Sequence, residues 1–237
     1  MSDLPQAILF DLDDTILEFH ALAAPAWAAT LESVAADLHP STPAQVQQRI
    51  DAVSTAWWSD PDRHRQGRLD LGNTRRMTVS ESLESLDIHD AALVGRIVDE
   101  FERRRFEGLR LFPGALDTLD HFQAAGVPMA LLTNGDSAGQ RAKIERFELA
   151  PYFSCIIIEG EFGAGKPDPR VFQHALAELN VEARHTWMVG DRAEWEILPA
   201  QQLGIWAIWV DVHGKGMQPD LDIKPDRVIH RISELVG

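Results

Sequence analysis

Six polar residues have types and positions that could do chemistry together: Asp11, Asp13, Thr133, Asn134, Lys166 and Asp191. Each ends a short apolar run or lies in a loop just beyond one. Crowded carboxylates repel one another and raise their own proton affinity. A divalent cation relieves that repulsion, and magnesium prefers oxygen ligands while keeping waters and substrate phosphate. A lysine nearby can bind a phosphate oxygen and restrain a nucleophile. Thr133 can donate its hydroxyl, and backbone N–H groups around Asn134 can cradle an anion. Such a set suits phosphoryl transfer, where catalysis is mostly positioning and charge neutralisation. A carboxylate such as Asp11 can attack phosphorus and form an aspartyl-phosphate. A second acid must protonate the leaving oxygen and later activate water. Asp13 is placed for that work if the strand relaxes into a loop after Asp11. In a strict strand, positions 11 and 13 would share one face.

These residues need a scaffold that brings strand ends together. Residues 7–10, Ala-Ile-Leu-Phe, read as a buried strand ending at Asp11. Val127 to Leu132 ends in Thr133-Asn134-Gly135-Asp136, and Cys155 to Ile158 is a third strand. Thr186 to Val189 ends in Gly190-Asp191, and Ile205 to Val210 is a fifth strand. Helices are expected near 115–125, 138–147, 169–180 and 194–203. Strands alternating with helices imply a parallel sheet with right-handed crossovers. Their near-continuous apolar runs fit burial on both faces. In open parallel sheets, ligands sit beyond the carboxyl ends of the strands, where these polar residues fall.

Residues 20–110 differ from the rest. Apolar residues recur there at spacings of three to four, without strand alternation. Ala21, Leu22, Ala26, Ala29, Val34 and Leu38 form one loose stripe, stopped by His39-Pro40. Thr42 with Pro43 can cap the next helix, which ends at Trp57-Trp58-Ser59-Asp60-Pro61. Two more helices are expected near 67–86 and 90–108, making a four-helix unit. The sequence therefore predicts an α/β, Rossmann-like doubly wound core over 1–18 and 111–237, with an inserted helical unit over 19–110.

Composition limits the partners. The chain has 237 residues, 45% hydrophobic and 25% charged, with a formal net charge of −15. That field opposes nonspecific nucleic-acid binding. No apolar run approaches the ~18 residues of a membrane span, and residues 1–10 lack a basic signal-peptide start. The single cysteine, Cys155, cannot form an internal disulfide, and is read as a buried strand residue. A cytoplasmic protein is expected, as a monomer or homodimer. Residues 20–110 hold 11 Arg, no Lys and 14 Asp plus Glu. The arginines there, including Arg103-Arg104-Arg105, read as solvated helix faces. Trp57 and Trp58 read as helix-end packing, and Trp206 and Trp209 as strand packing.

The segment Phe10-Asp11-Leu12-Asp13-Asp14-Thr15 resembles the first motif of the haloacid dehalogenase superfamily. Leu132-Thr133-Asn134-Gly135 is similar to its second, Gly165-Lys166-Pro167-Asp168-Pro169 to its third and Val189-Gly190-Asp191 to its fourth. The inserted helices resemble the cap domain that many members carry between the first two motifs. The resemblance implies a mobile cap, and Mg²⁺ bound by Asp11, Asp191 and the backbone carbonyl of Asp13. An acid at position 13 fits an alkoxide leaving group, since a departing halide needs no proton. The expected activity is that of a phosphoric monoester hydrolase acting on a small phosphoester. A phosphomutase, or a non-catalytic phosphate-responsive module, would use similar residues. Glu196 stands where a second Asp is common in the fourth motif, and Arg192 and Pro199 also depart from it. Glu196, one methylene longer than Asp, can reach a metal directly, through water, or not at all, and Glu194 competes.

Two other patterns fail on chemistry. Gly160, Gly165 and Lys166 match the Walker spacing, but Pro167 stands where Ser or Thr should hold magnesium. Asp168-Pro169 instead reads as a helix cap and first turn, leaving Lys166 outside the helix. The Asp11–Asp14 run looks like the start of a calcium loop, but Ile16 stands where that loop needs glycine.

Overall fold

The computed structural model describes residues 4–217 and 222–236, and among these the chain divides into two compact units. One comprises Met1–Glu18 with Arg110–Gly237, and the other is Phe19–Leu109.

Strand β1 (Ala7–Phe10) opens the first unit, and the short β2 (Leu17–Glu18) closes its leading segment. The helical unit holds α1 (Ala23–Ser33), α2 (Pro43–Trp58), α3 (Pro61–Leu69), α4 (Leu71–Glu84) and α5 (Ala91–Glu107). The chain then continues through β3 (Arg110–Leu111), α6 (Ala115–Ala124), β4 (Met129–Thr133) and α7 (Ser137–Arg146). After these come β5 (Cys155–Ile158), α8 (Glu159–Phe162), α9 (Pro169–Leu179) and β6 (Thr186–Gly190). The last elements are α10 (Leu198–Gln202), β7 (Trp206–Val210) and β8 (Arg227–Ile229).

Six strands form one parallel sheet in the order β5-β4-β1-β6-β7-β8. All four residues of β1 are fully buried, as a central strand covered on both faces requires. On one face Leu9, Leu132 and Met188 pack with Val171 and Phe172 of α9. On the other, the Phe10 and Phe153 rings meet edge to face, 6.4 Å between centroids. Burying a side chain such as Phe10 stabilises the fold by about 1.5–3 kcal/mol. After β1 the chain adds β4 and β5 on one side, then β6, β7 and β8 on the other. The order therefore reverses beside β1, the switch point at which such sheets bind ligands.

The helical unit has its own core of Leu31, Leu38, Val46, Ile50, Val79, Leu83, Leu93, Val94, Ile97 and Val98. Helix α5 buries Leu93, Val94, Ile97, Val98 and Phe101, a stripe at helical spacing. Trp27 of α1 stacks on Phe101 with 3.9 Å between ring centroids. Thr42 caps α2 in a reciprocal capping box with Gln45, with Pro43 in the first turn.

Several expectations need correction. The helical unit has five α-helices among the described residues, where four were expected. Asp60-Pro61 ends α2 but also starts α3, because the Asp60 carboxylate accepts from the N–H groups of Asp62 and Arg63. Asp70 then caps α4. The first stripe, 21–38, is α1 flanked by two short 3₁₀ turns. The expected helix at 194–203 is a π-helical turn over Ala193–Ile197 followed by α10, with Pro199 in the first turn of α10. Cys155 is half-buried, because β5 is an edge strand. Trp206 is 49% exposed at the start of β7. Of Arg103–Arg105 only Arg103 is exposed, and the Arg105 guanidinium lies 3.6 Å over the Phe19 ring. Strand β8 and the β2–β3 pair were not expected.

Candidate active site

Segments beyond the carboxyl ends of β1, β4, β5 and β6 carry the predicted residues. The Asp11 N–H donates to the Val189 carbonyl at 3.0 Å, so Asp11 leaves the sheet beside Gly190 and Asp191. One residue past the strands, each chain turns away and its side chain is no longer committed to a packed face. Thr133 ends β4 and is buried. Asp14 has a left-handed backbone (φ 62°) and its N–H donates to the Leu17 carbonyl at 2.7 Å. This turn is the relaxation that lets Asp13 depart from strict strand alternation.

Lys166 is 1% exposed. Its Nζ donates to Asp11 Oδ1 at 2.5 Å and to Glu196 Oε1 at 2.7 Å. Glu196 Oε2 accepts from the Arg192 N–H at 2.8 Å, so both Glu196 oxygens are engaged. The π-helical turn carries Glu196 inward while Glu194 stays exposed. A Cβ at Gly190 would collide with the Glu196 carboxylate, so glycine is required for this approach. Burial pulls the Lys166 ammonium down, but Asp11 and Glu196 outweigh it and hold the lysine charged.

Asn134 fixes the lysine loop to the β4 loop. Its Nδ2 donates to the Lys166 carbonyl at 2.7 Å, and its Oδ1 accepts from the Lys166 N–H at 2.8 Å. The buried Glu159 accepts from the Gly135 N–H at 3.2 Å. Asp13 is held from α7. Its carboxylate accepts from Lys143 Nζ at 2.8 and 2.7 Å, and from Gln140 Nε2 at 3.1 Å.

Ligand oxygens of Asp11, Asp191 and Glu196 lie within 4.8 Å of one another. Burial first, then Glu196, push the Asp11 carboxyl up to about 8 against the pull of Lys166. Burial, then Glu196 and Asp11, push Asp191 up to about 9. Asp11 Oδ2 is buried and has no hydrogen-bond partner among the described residues. A buried unpaired carboxylate oxygen beside two further carboxylates suits a hard divalent cation, whose charge would offset their repulsion.

The structure thus brings Asp11, Lys166, Asp191 and Glu196 into one group, with Asn134 clasping the Lys166 backbone. Asp13 has its own partners on α7. Sequence reasoning missed Lys143, Gln140 and Glu159. The spacing of Gln140, Lys143 and Ile144 was the available signal, since it places two polar side chains on the core-facing side of α7.

The sequence pattern of the haloacid dehalogenase-like hydrolases matches residues 5–204. The chain belongs to that family. This hydrolase is 38% identical to a phosphoserine phosphatase from Thermus thermophilus over 135 residues, 56% of this chain and 52% of the phosphatase. The match therefore spans about half the length of that relative. It is 28% identical to the pyrimidine 5′-nucleotidase YjjG of Escherichia coli over 229 residues, 96% of this chain and 95% of the nucleotidase. Its fold matches a crystal structure of the HAD-hydrolase YfnB from Bacillus subtilis, solved with bound magnesium. The TM-score is 0.73 at 24% identity, covering 98% of the hydrolase and 97% of YfnB. No described helix of the hydrolase is long and apolar enough to cross a membrane.

Proposed function

We propose that this hydrolase is a magnesium-dependent phosphatase that cleaves a small phosphorylated metabolite through an aspartyl-phosphate on Asp11. The observation that carries the reading is the environment of Asp11. One of its oxygens is held by Lys166, while the other is buried without a partner beside Asp191 and Glu196. Asp11, Asp191 and the Asp13 carbonyl would hold the metal, with Glu196 completing the acidic group and restraining Lys166. When bound, magnesium supplies positive charge that neutralises the phosphoryl oxygens.

The residues divide the work. An Asp11 oxygen forms a bond to phosphorus as the bond from phosphorus to the ester oxygen breaks. Asp13 gives its proton to that leaving oxygen. Water then attacks phosphorus, Asp13 takes its proton, and the bond to Asp11 breaks, which restores the Asp11 carboxylate and the protonated Asp13. Lys166 and Thr133 bind phosphoryl oxygens, with Asn134 holding the lysine loop in register. The Phe19–Leu109 unit is read as the cap that selects the substrate, and the protein as cytoplasmic. Phosphoserine and pyrimidine 5′-nucleotides, on which the named relatives act, are the first substrates to try.

The test is magnesium-dependent phosphate release from p-nitrophenyl phosphate and a panel of such metabolites. Asp11→Asn should lower release at least about a thousandfold, as loss of a nucleophile does. A wild-type protein that releases no phosphate from any of them would sink the proposal.

A further inference from the structure

Helix α7 follows directly on the Thr133–Gly135 loop and is capped by Asp136. Its interior face is Gln140, Lys143 and Ile144, of which Ile144 alone is apolar. Gln140 is 4% exposed and Lys143 6%. Both reach the same carboxylate. Lys143 Nζ donates to both Asp13 oxygens, and Gln140 Nε2 donates to Asp13 Oδ2. The same Nε2 also donates to the Asn134 carbonyl at 2.7 Å. Burying an ammonium and an amide costs desolvation that two apolar side chains would avoid. Gln140 Oε1 adds to that cost, since it is buried without a partner among the described residues. Packing alone gives no reason for these two residues on this face.

We propose that Lys143 and Gln140 are positioning residues for Asp13, fixing its carboxylate relative to the Thr133–Asn134 loop for proton transfer to the leaving group. This inference rests on the phosphatase reading above. Hydrogen bonds to both oxygens stop the Asp13 carboxylate from rotating. Gln140 ties that same group to the backbone that would bind the phosphoryl oxygens. Proton transfer needs the acid within hydrogen-bond reach of the leaving oxygen. Losing the clasp therefore slows departures that need a proton and spares those that do not.

Two esters of nearly the same shape separate these cases. p-Nitrophenolate is a weak base and leaves without a proton, whereas the phenolate of phenyl phosphate is a much stronger base and needs one. The comparison uses kcat/KM, which covers the steps through cleavage of the ester bond. Lys143→Met should lower kcat/KM for phenyl phosphate about tenfold or more, but for p-nitrophenyl phosphate by less than about threefold, in the direction of general-acid loss. Lys143→Arg keeps charged donors and should recover much of the ratio. Gln140→Leu should shift the ratio the same way by a smaller factor, and it decides the matter if Lys143→Met does not fold. Equal losses on both esters, or no loss on either, would overturn the proposal. If the wild type cleaves both esters and the ratio never moves, the clasp fails and the phosphatase reading stands. If the wild type cleaves neither these esters nor any member of the metabolite panel, both fail together.

Discussion

Asp191 shows what a partly buried carboxyl does to stability. Its carboxyl is pushed up to about 9, mainly by burial and next by Glu196 and Asp11. In the unfolded chain an aspartate titrates near ~3.9. Between about pH 4 and about 9 the folded chain holds more protons here than the unfolded chain, so stability falls as pH rises through that window. Asp191→Asn removes this dependence. In a chelator, the variant should melt a few degrees above wild type at pH 8, roughly 1–2 kcal/mol, and the gap should close toward pH 5. Thermal scans at the two pH values test this, and a gap independent of pH would refute it. Gly190→Ala should act in the opposite sense, because its Cβ collides with Glu196 and loosens the hold on Lys166. It should cost about 1–3 kcal/mol in denaturant unfolding, the usual cost of overpacking. Asp11 and Asp191 were legible in the sequence because each directly follows a strand, and Lys166 because it lies in a loop just before the Asp168-Pro169 helix start. Lys143 and Gln140 were not, because a polar residue in a helix is read as solvated unless its spacing is weighed.

At the scale of elements, caps and stripes decide where each helix sits. Thr42→Ala breaks the capping box of α2 and should cost about 1 kcal/mol, measured by denaturant unfolding. The same cap was readable beforehand, as were Asp168 and Pro169 at the start of α9. Helix α3 was hidden for a physical reason. Asp60-Pro61 can stop one helix and start another, and the Asp60 side chain satisfies the first N–H groups of the second. Strand β8 was hidden by length: three residues at a sheet edge leave no readable alternation. The π-helical turn at 193–197 accompanies the long-range bond of Glu196 to Lys166 and a local one to the Arg192 N–H, and the first of these is a contact that composition does not encode.

Across the whole molecule, each unit packs its own core among the described residues, so a lesion in one should register locally. Ile97→Ala removes fully buried atoms from α5 and should cost about 2–5 kcal/mol. Hydrogen exchange should quicken in α1, α2, α4 and α5 while the amides of β1 and β6 keep their protection. Uniform loss of protection would show that the chain unfolds as one body. The insertion was legible as a change of periodicity after the first strand, and the parallel sheet as the alternation that follows it. Its strand order has a consequence for how the protein is made. β1 precedes the other described strands in the chain, yet its neighbours β4 and β6 come from residues 129–133 and 186–190. At ordinary ribosome speed the wait for β6 is roughly 10–40 s. Throughout that interval Ala-Ile-Leu-Phe is an apolar segment without both of its sheet partners. A nascent chain stalled before residue 190 would carry Asp11 and lack Asp191 and Glu196, the acidic residues that surround it in the folded chain.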